Sequence, residues 1–249
     1  MRISSSFPII TPDWPAPDRV KAFMTTRQGG VSHPPFAGLN LGDHVGDDPE
    51  RVLQNRSLLR DILPAEPYWL QQVHGCAVAC TDGGLDSAQA DAAYSCKSGS
   101  VCVVMTADCL PLLLCDEAGT VVAAAHAGWR GLAAGILEAT VESMKTPPGR
   151  ILAWMGAAIG PQAFEVGDEV RDAFARDLQK TAAAFKPADQ PGKWWADIYQ
   201  LAQLRLARIG VTQIFGGGLC TYTDNQRFYS FRRDRTTGRM ASLIWLQHH

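Results

Sequence analysis

Residues 100–131, SVCVVMTADCLPLLLCDEAGTVVAAAHAGWRG, constrain the fold of this chain more than any other stretch. Two apolar runs, Leu110–Cys115 and Thr120–Ala125, flank the acidic, Gly-ended segment Asp116-Glu117-Ala118-Gly119. Acidic residues and Gly between two short apolar runs predict a β-hairpin. With those four residues as its loop, Cys115 faces Thr120, Leu114 faces Val121 and Cys109 faces His126. Directly opposed residues share a face of the sheet with Cβ atoms roughly 5 Å apart. The pairing thus brings a thiol to an imidazole. Pro111 cannot donate to a strand ladder, which points to an edge or a strand start at that position.

Around the hairpin, 249 residues are ample for a substantial core. With no internal repeat or low-complexity linker, the chain reads as one domain over 1–249, with the Pro- and Ser-rich residues 1–20 peripheral. A net charge of −2 argues against a dedicated nucleic-acid binder. No apolar run approaches the ~20 residues that span a bilayer, and the N-terminus lacks the basic-then-apolar form of a secretory signal. Seven cysteines in a chain of this size read as reduced thiols of a cytoplasmic protein. The expected state is a monomer without nucleic-acid or membrane partners.

Strands are predicted at Val20–Thr25, Tyr68–Val73, Ser100–Thr106, Ile151–Ile159, Val211–Phe215, Phe228–Arg232 and Met240–Leu246. Helices are predicted over Asp48–Leu63, opened by Asp48 and Pro49, and over Gly131–Met144, with an apolar stripe near period 3.6. Asp168–Leu178 and Asp197–Ile209 complete the helical segments, and residues 81–99 and 186–193 read as loops.

Several residue types carry chemistry. Arg27 precedes Gly29-Gly30, and Arg130 precedes the helix expected from Gly131; each suits an anion near free backbone N–H groups. Glu165, in an apolar frame, and Asp108, beside Cys109, are candidate acid/base groups. Arg232, Arg233, Arg235 and Arg239 read as a solvated basic loop. His74, Cys109 and His126 stand at strand ends. Two imidazoles and a thiolate make a sound zinc set with a fourth position open. The same Cys109–His126 pair equally suits a nucleophilic thiolate with its base. The residues alone leave metal and nucleophile open.

The segments TTRQGGVS, LNLG, WLQQVHG, ADA, MTADCLPLLL, AAAHAGWRGLAAGI, AIGPQAFEVG, DIYQLA and FYSFRRDRTTGRMAS together closely resemble the YfiH-type family. That family carries polyphenol oxidase (laccase), purine nucleoside phosphorylase and peptidoglycan-editing labels. The resemblance implies an α/β (α+β) domain of mixed β-sheets flanked by helices, and a catalytic Zn²⁺ on His74, Cys109 and His126. It further implies phosphorolysis of adenosine, guanosine, inosine and methylthioadenosine, and deamination of adenosine. Within that chemistry Asp108 or Glu165 would carry protons, and Arg27 or Arg130 would hold phosphate. A Cys/His hydrolase editing peptidoglycan precursors is the alternative enzyme, and a non-catalytic metal-binding protein acting through a partner is a third class. The laccase label conflicts with a count of six histidines, too few for a blue copper and a trinuclear cluster, although one Cu²⁺ suits the three-donor site.

Overall fold

A computed structural model describes residues 6–83, 89–174 and 181–248. Its strands are β1 (Ile9–Ile10), β2 (Val20–Thr25), β3 (Val78–Cys80), β4 (Ala92–Ser95), β5 (Val101–Thr106), β6 (Leu110–Asp116) and β7 (Val122–Ala127), followed by β8 (Ile151–Met155), β9 (Glu165–Gly167), β10 (Phe185–Pro187), β11 (Lys193–Ala196), β12 (Gln213–Gly216) and β13 (Met240–Leu246). The α-helices are α1 (Pro49–Ser57), α2 (Trp129–Ala134), α3 (Ile136–Ser143), α4 (Asp168–Ala173), α5 (Ile198–Arg208) and α6 (Phe231–Asp234). A six-stranded mixed sheet runs β12-β8-β6-β7-β4-β3, and a four-stranded antiparallel sheet runs β1-β2-β13-β5. A small antiparallel sheet runs β10-β11-β9. The architecture is mixed α/β, as the resemblance implies.

Alternation along β6 explains how the layers stack. Leu112 and Leu114 join a core with Ile136, Leu137, Leu201 and Leu206 of α3 and α5. Leu113 and Cys115, pointing the other way, join Met24, Cys102, Val104 and Ile244 of the four-stranded sheet. A strand covered on both faces needs no polar residue, hence the unbroken run LPLLLC. The far side of the four-stranded sheet buries Phe23, Val103, Leu243 and Trp245 against Phe7, Leu39, Leu41 and Leu59.

The hairpin forms, with its pairing shifted by two residues from the expectation. Cys115 faces Val122 and Pro111 faces His126, so Cys109 precedes the strand and lies diagonal to His126. The cause is Asp116, which stays at the strand end. Its carboxylate accepts from the N–H and hydroxyl of Thr120 and from the N–H of Val121, which draws Thr120 into the loop. A shift of two preserves the faces of the sheet, so thiol and imidazole still share a side.

Other expectations change at identifiable residues. The helix expected over 131–144 starts at Trp129 and breaks into α2 and α3 at Gly135, whose φ of +109° ends the first as a left-handed cap. α1 ends at Ser57, and residues 58–62 continue as turns that keep Leu59 buried. Tyr68–Val73 is not a strand. Instead the Gln72 side chain donates to Met105 O at 2.8 Å and accepts from Met105 N–H at 2.7 Å, tying the segment to β5 as a strand would. The segment 81–99 contains β4, and 186–193 joins β10 to β11 as a hairpin. The segment expected as a strand over Phe228–Arg232 is instead irregular chain up to Ser230, which caps α6, and Phe231 and Arg232 open that helix; Phe228 and Tyr229 are fully buried. α4 covers the start of the helix expected over 168–178, whose last part lies outside the described residues. All seven cysteines are free thiols, and no helix among the described residues is long and apolar enough to cross a membrane.

Candidate metal centre

Three loops and strand ends converge at one end of the six-stranded sheet. The turn between β5 and β6 supplies Cys109, β7 supplies His126, and the segment held by Gln72 supplies His74. One ligand atom from each lies within 4.8 Å of the others, and among the described residues they form the one such group of His, Cys, Asp or Glu donors. Cys109 Sγ is 3.7 Å from His74 Nε2, and the two imidazole rings meet edge to face at 4.7 Å between centroids.

Asp91 organises the group. Its carboxylate is fully buried, and Oδ1 accepts from His126 Nδ1 at 2.8 Å and from the His74 N–H at 2.9 Å. Oδ2 accepts from Gly75 N–H at 2.7 Å and from Val73 N–H at 3.2 Å. A carboxylate bonded to one ring nitrogen of a histidine leaves the other as a free lone pair, the usual outer partner of a metal-binding imidazole. Burial pushes the Asp91 carboxyl up, but the His126 ring and the Gly75 and His74 N–H groups outweigh it, and the net shift is downward.

Backbone conformation also serves the site. His74 and Asp108 have φ of +61° and +91°, two of four non-glycine residues in the left-handed region among those described. Such backbone costs about 1–3 kcal/mol and persists only where the surroundings dictate it. At Asp108 the surroundings are explicit. Oδ1 accepts from the Thr221 hydroxyl and Oδ2 from Arg232 N–H, both at 2.6 Å, while its carbonyl accepts from Ile159 N–H at 2.9 Å. Gly128 leaves the space in which the donors meet: a Cβ there would lie 2.7 Å from His74 Cδ2 and 3.0 Å from Cys109 Sγ.

The electrostatics separate Cys109 from the other thiols. Burial, against a Thr81 hydrogen bond at Cys102 and aided by the Asp116 charge at Cys115, pushes both thiols up to about 12, the condition of inert core thiols. Burial pushes Cys109 up as well, but His126 and His74 overcome it and bring the thiol down to about 6. Burial lowers His126, and the Cys109 and Asp91 charges reverse this and raise it to about 9. Two imidazoles and a low-pKa thiolate, one imidazole fixed from behind by a carboxylate, fit a borderline metal ion with an open position.

The donors open onto a cavity of about 380 Å³. Met105, Ile159, Phe164, Ile198 and Phe231 give it an apolar wall beside Trp129, and Asp108, Arg232 and Arg239 add charge. Of the residues singled out from sequence, His74, Cys109, His126 and Asp108 therefore come together. Glu165 does not line the cavity; it lies on β9, where its carbonyl accepts from Arg232 Nη1 at 2.8 Å. Arg27 stacks on Tyr229 and donates to Asn225 O, and Arg130 stacks on Trp129; neither lines the cavity. The arginines that do, Arg232 and Arg239, belong to the cluster read as a solvated loop. Asp91 lies in the segment that reads as loop, and Ala-Asp-Ala, shared with the family, is its one sequence signal.

Known proteins match nearly the whole chain. It is 57% identical to purine nucleoside phosphorylase PA4543 of Pseudomonas aeruginosa, over 96% of this chain and 98% of that protein. It is 58% identical to purine nucleoside phosphorylase YfiH of Escherichia coli, with the same coverage. Among solved structures, Neisseria meningitidis protein NMB0706, of the DUF152 family, superposes with a TM-score of 0.90 at 48% identity, covering 96% of this chain and 99% of that one. YfiH of Bacillus licheniformis superposes with a TM-score of 0.85 at 33% identity, covering 92% and 94%. The family model described as multi-copper polyphenol oxidoreductase laccase matches residues 21–247, and the chain belongs to this family, the YfiH or DUF152 proteins.

Proposed function

We propose that this chain is a zinc-dependent purine nucleoside phosphorylase, its whole length forming one catalytic domain, with adenosine deamination as a second activity of the same site. The observation that carries the reading is the convergence of His74, Cys109 and His126 on a cavity with an apolar, aromatic wall and two arginines. The names of the relatives from P. aeruginosa and E. coli support it. About 380 Å³ is within the range of small-molecule sites. A zinc ion on the three donors would supply Lewis-acid polarisation at its open position.

The protein's own groups account for the rest. The wall of Ile159, Phe164, Trp129 and Phe231 takes the flat purine, with the ring faces and edges that aromatic contacts favour. Phosphorolysis forms a bond from a phosphate oxygen to the anomeric carbon and breaks the bond from that carbon to the purine, which leaves with a proton. Of the two carboxylates considered for moving that proton, Asp108 lies on the cavity wall, and we assign the role to it. The three donors make one site, so a single Cu²⁺ competing for them is the form in which oxidase chemistry would arise.

The test is purine release from inosine and adenosine with and without phosphate, on protein of known metal content. The reading requires phosphate-dependent release that disappears on chelation and in Cys109→Ala. Release that does not depend on phosphate would refute it. One observation favours a second reading: the thiolate at Cys109 beside a protonated His126 is also the pair of a cysteine hydrolase. That enzyme would act on peptidoglycan precursors, survive chelation and lose activity on alkylation of Cys109.

A further inference from the structure

We propose that Arg239, together with the hydroxyl of Thr106, forms an oxyanion subsite of the cavity that takes inorganic phosphate, an assignment that rests on the phosphorylase reading. Arg239 immediately precedes β13, whose Met240 pairs with Thr106 at the end of β5. Arg239 thus lies one residue from the partner of Thr106, just outside the adjacent strand, and both residues line the cavity.

Arg239 is held firmly and makes no direct ion pair. Its N–H donates to Asn40 Oδ1 at 2.9 Å, and its carbonyl accepts from Leu41 N–H at 3.2 Å. Nη1 donates to Thr237 O at 3.0 Å and to Gly238 O at 3.1 Å. Gly42 makes room for the stem, since a Cβ there would sit 2.8 Å from Arg239 Cγ. Nε and Nη2 have no partner among the described residues, and no carboxylate pairs with the group. The opposite charges that act on it are Cys109 and Asp108. That free Nε–Nη2 edge is the one that binds an oxyanion through two parallel N–H bonds.

Thr106 supplies the second, independent observation. It is 2% exposed, and its Oγ1 has no hydrogen-bond partner. Buried polar atoms are almost always paired, and one left over on a cavity wall points to a ligand. Arg232 adds a second cation, with Nη1 anchored on Glu165 O. An arginine edge takes carboxylate and phosphate alike, and it is the two arginines on one cavity that favour a dianion over the monoanionic carboxylate a peptide substrate would bring.

Calorimetric titration of inorganic phosphate into the zinc-loaded chain tests the assignment, with acetate as the carboxylate arm. Arg239→Gln should weaken phosphate at least roughly tenfold, as loss of charge-assisted bonds does. Arg239→Lys should fall between it and the parent chain, and the isosteric Thr106→Val should weaken phosphate severalfold. Zinc content should be unchanged in all three. Parent-like phosphate affinity in both Arg239→Gln and Thr106→Val would overturn the subsite, as would acetate displacing phosphate at equal concentration. Should Arg239→Gln fail to fold, Thr106→Val alone decides. Phosphate binding that depends on Arg239, without phosphate-dependent turnover, keeps the subsite and removes the phosphorylase reading. Phosphate-dependent turnover with an unchanged KM for phosphate in Arg239→Gln does the reverse.

Discussion

The two histidines of the site are held by the same carboxylate in opposite ways. His126 is 3% exposed, inside β7, and Asp91 grips its ring. His74 is exposed, in a loop, and Asp91 grips its backbone together with those of Val73 and Gly75. One imidazole is thus part of the core and the other is presented to the cavity by a clamped loop. A site built this way joins a rigid half to a solvent-facing half, and the two halves should fail differently.

The largest effects belong to the buried half. Asp91→Ala or His126→Ala strips a partner from a buried ion pair, and either should cost about 3–5 kcal/mol in denaturant unfolding of the metal-free chain. His74→Ala removes an exposed ring and should change that stability by no more than about 0.5 kcal/mol. All three should abolish stoichiometric metal binding. Equal destabilisation by His74→Ala and His126→Ala would erase the proposed division.

Gly128→Ala acts on the space between the halves. Its methyl group meets His74 and Cys109 first. Metal affinity should fall by a factor on the order of 10–100, read by competition with a chelator, with a far smaller change in stability than Asp91→Ala.

The pH dependence of metal binding should report on the buried half. With His126 raised to about 9 and Cys109 lowered to about 6, the metal-free chain holds an imidazolium and a thiolate between those limits. Metal must displace the His126 proton, so affinity should rise roughly tenfold per pH unit from about 6 to about 9, then level off. Below about 6 the thiol is protonated as well, and the slope should steepen. Aspartate enters with the opposite edge: Asp91 is shifted downward, so its contribution to stability holds at neutral pH and is lost as pH falls through its folded-state value.

The smallest effect should come from Arg130→Gln. With its guanidinium on Trp129 and outside the cavity wall, it should alter the KM for phosphate less than twofold. A tenfold rise would restore the anion role read from its place before a helix.

What was legible in the sequence follows the same divide. The hairpin and the shared face of Cys109 and His126 came from local alternation, which survives a two-residue slip because side chains repeat every second residue. Helix starts at Asp48 and Asp197 were legible because their side chains cap locally, on Glu50 and Gln200. Asp91 was not, because a carboxylate among Gly, Ser and Ala looks like loop until distant backbone N–H groups arrive. Arg239 was not, because FRRDRTTGR is polar along its own length. Its burial is imposed by Asn40, Leu41 and Gly42, nearly the whole chain away in sequence. Arg27 and Arg130 sit in motifs beside glycines, which describe what a backbone can do and not which cavity it faces.

X-ray absorption at the metal edge, on zinc-loaded chain of known stoichiometry, tests the central claim most directly. The account predicts one zinc per chain, with one sulfur at about 2.3 Å and two imidazole nitrogens at about 2.0–2.1 Å, and loss of the sulfur shell in Cys109→Ala. A shell of oxygen and nitrogen alone, or one unchanged in Cys109→Ala, would contradict it.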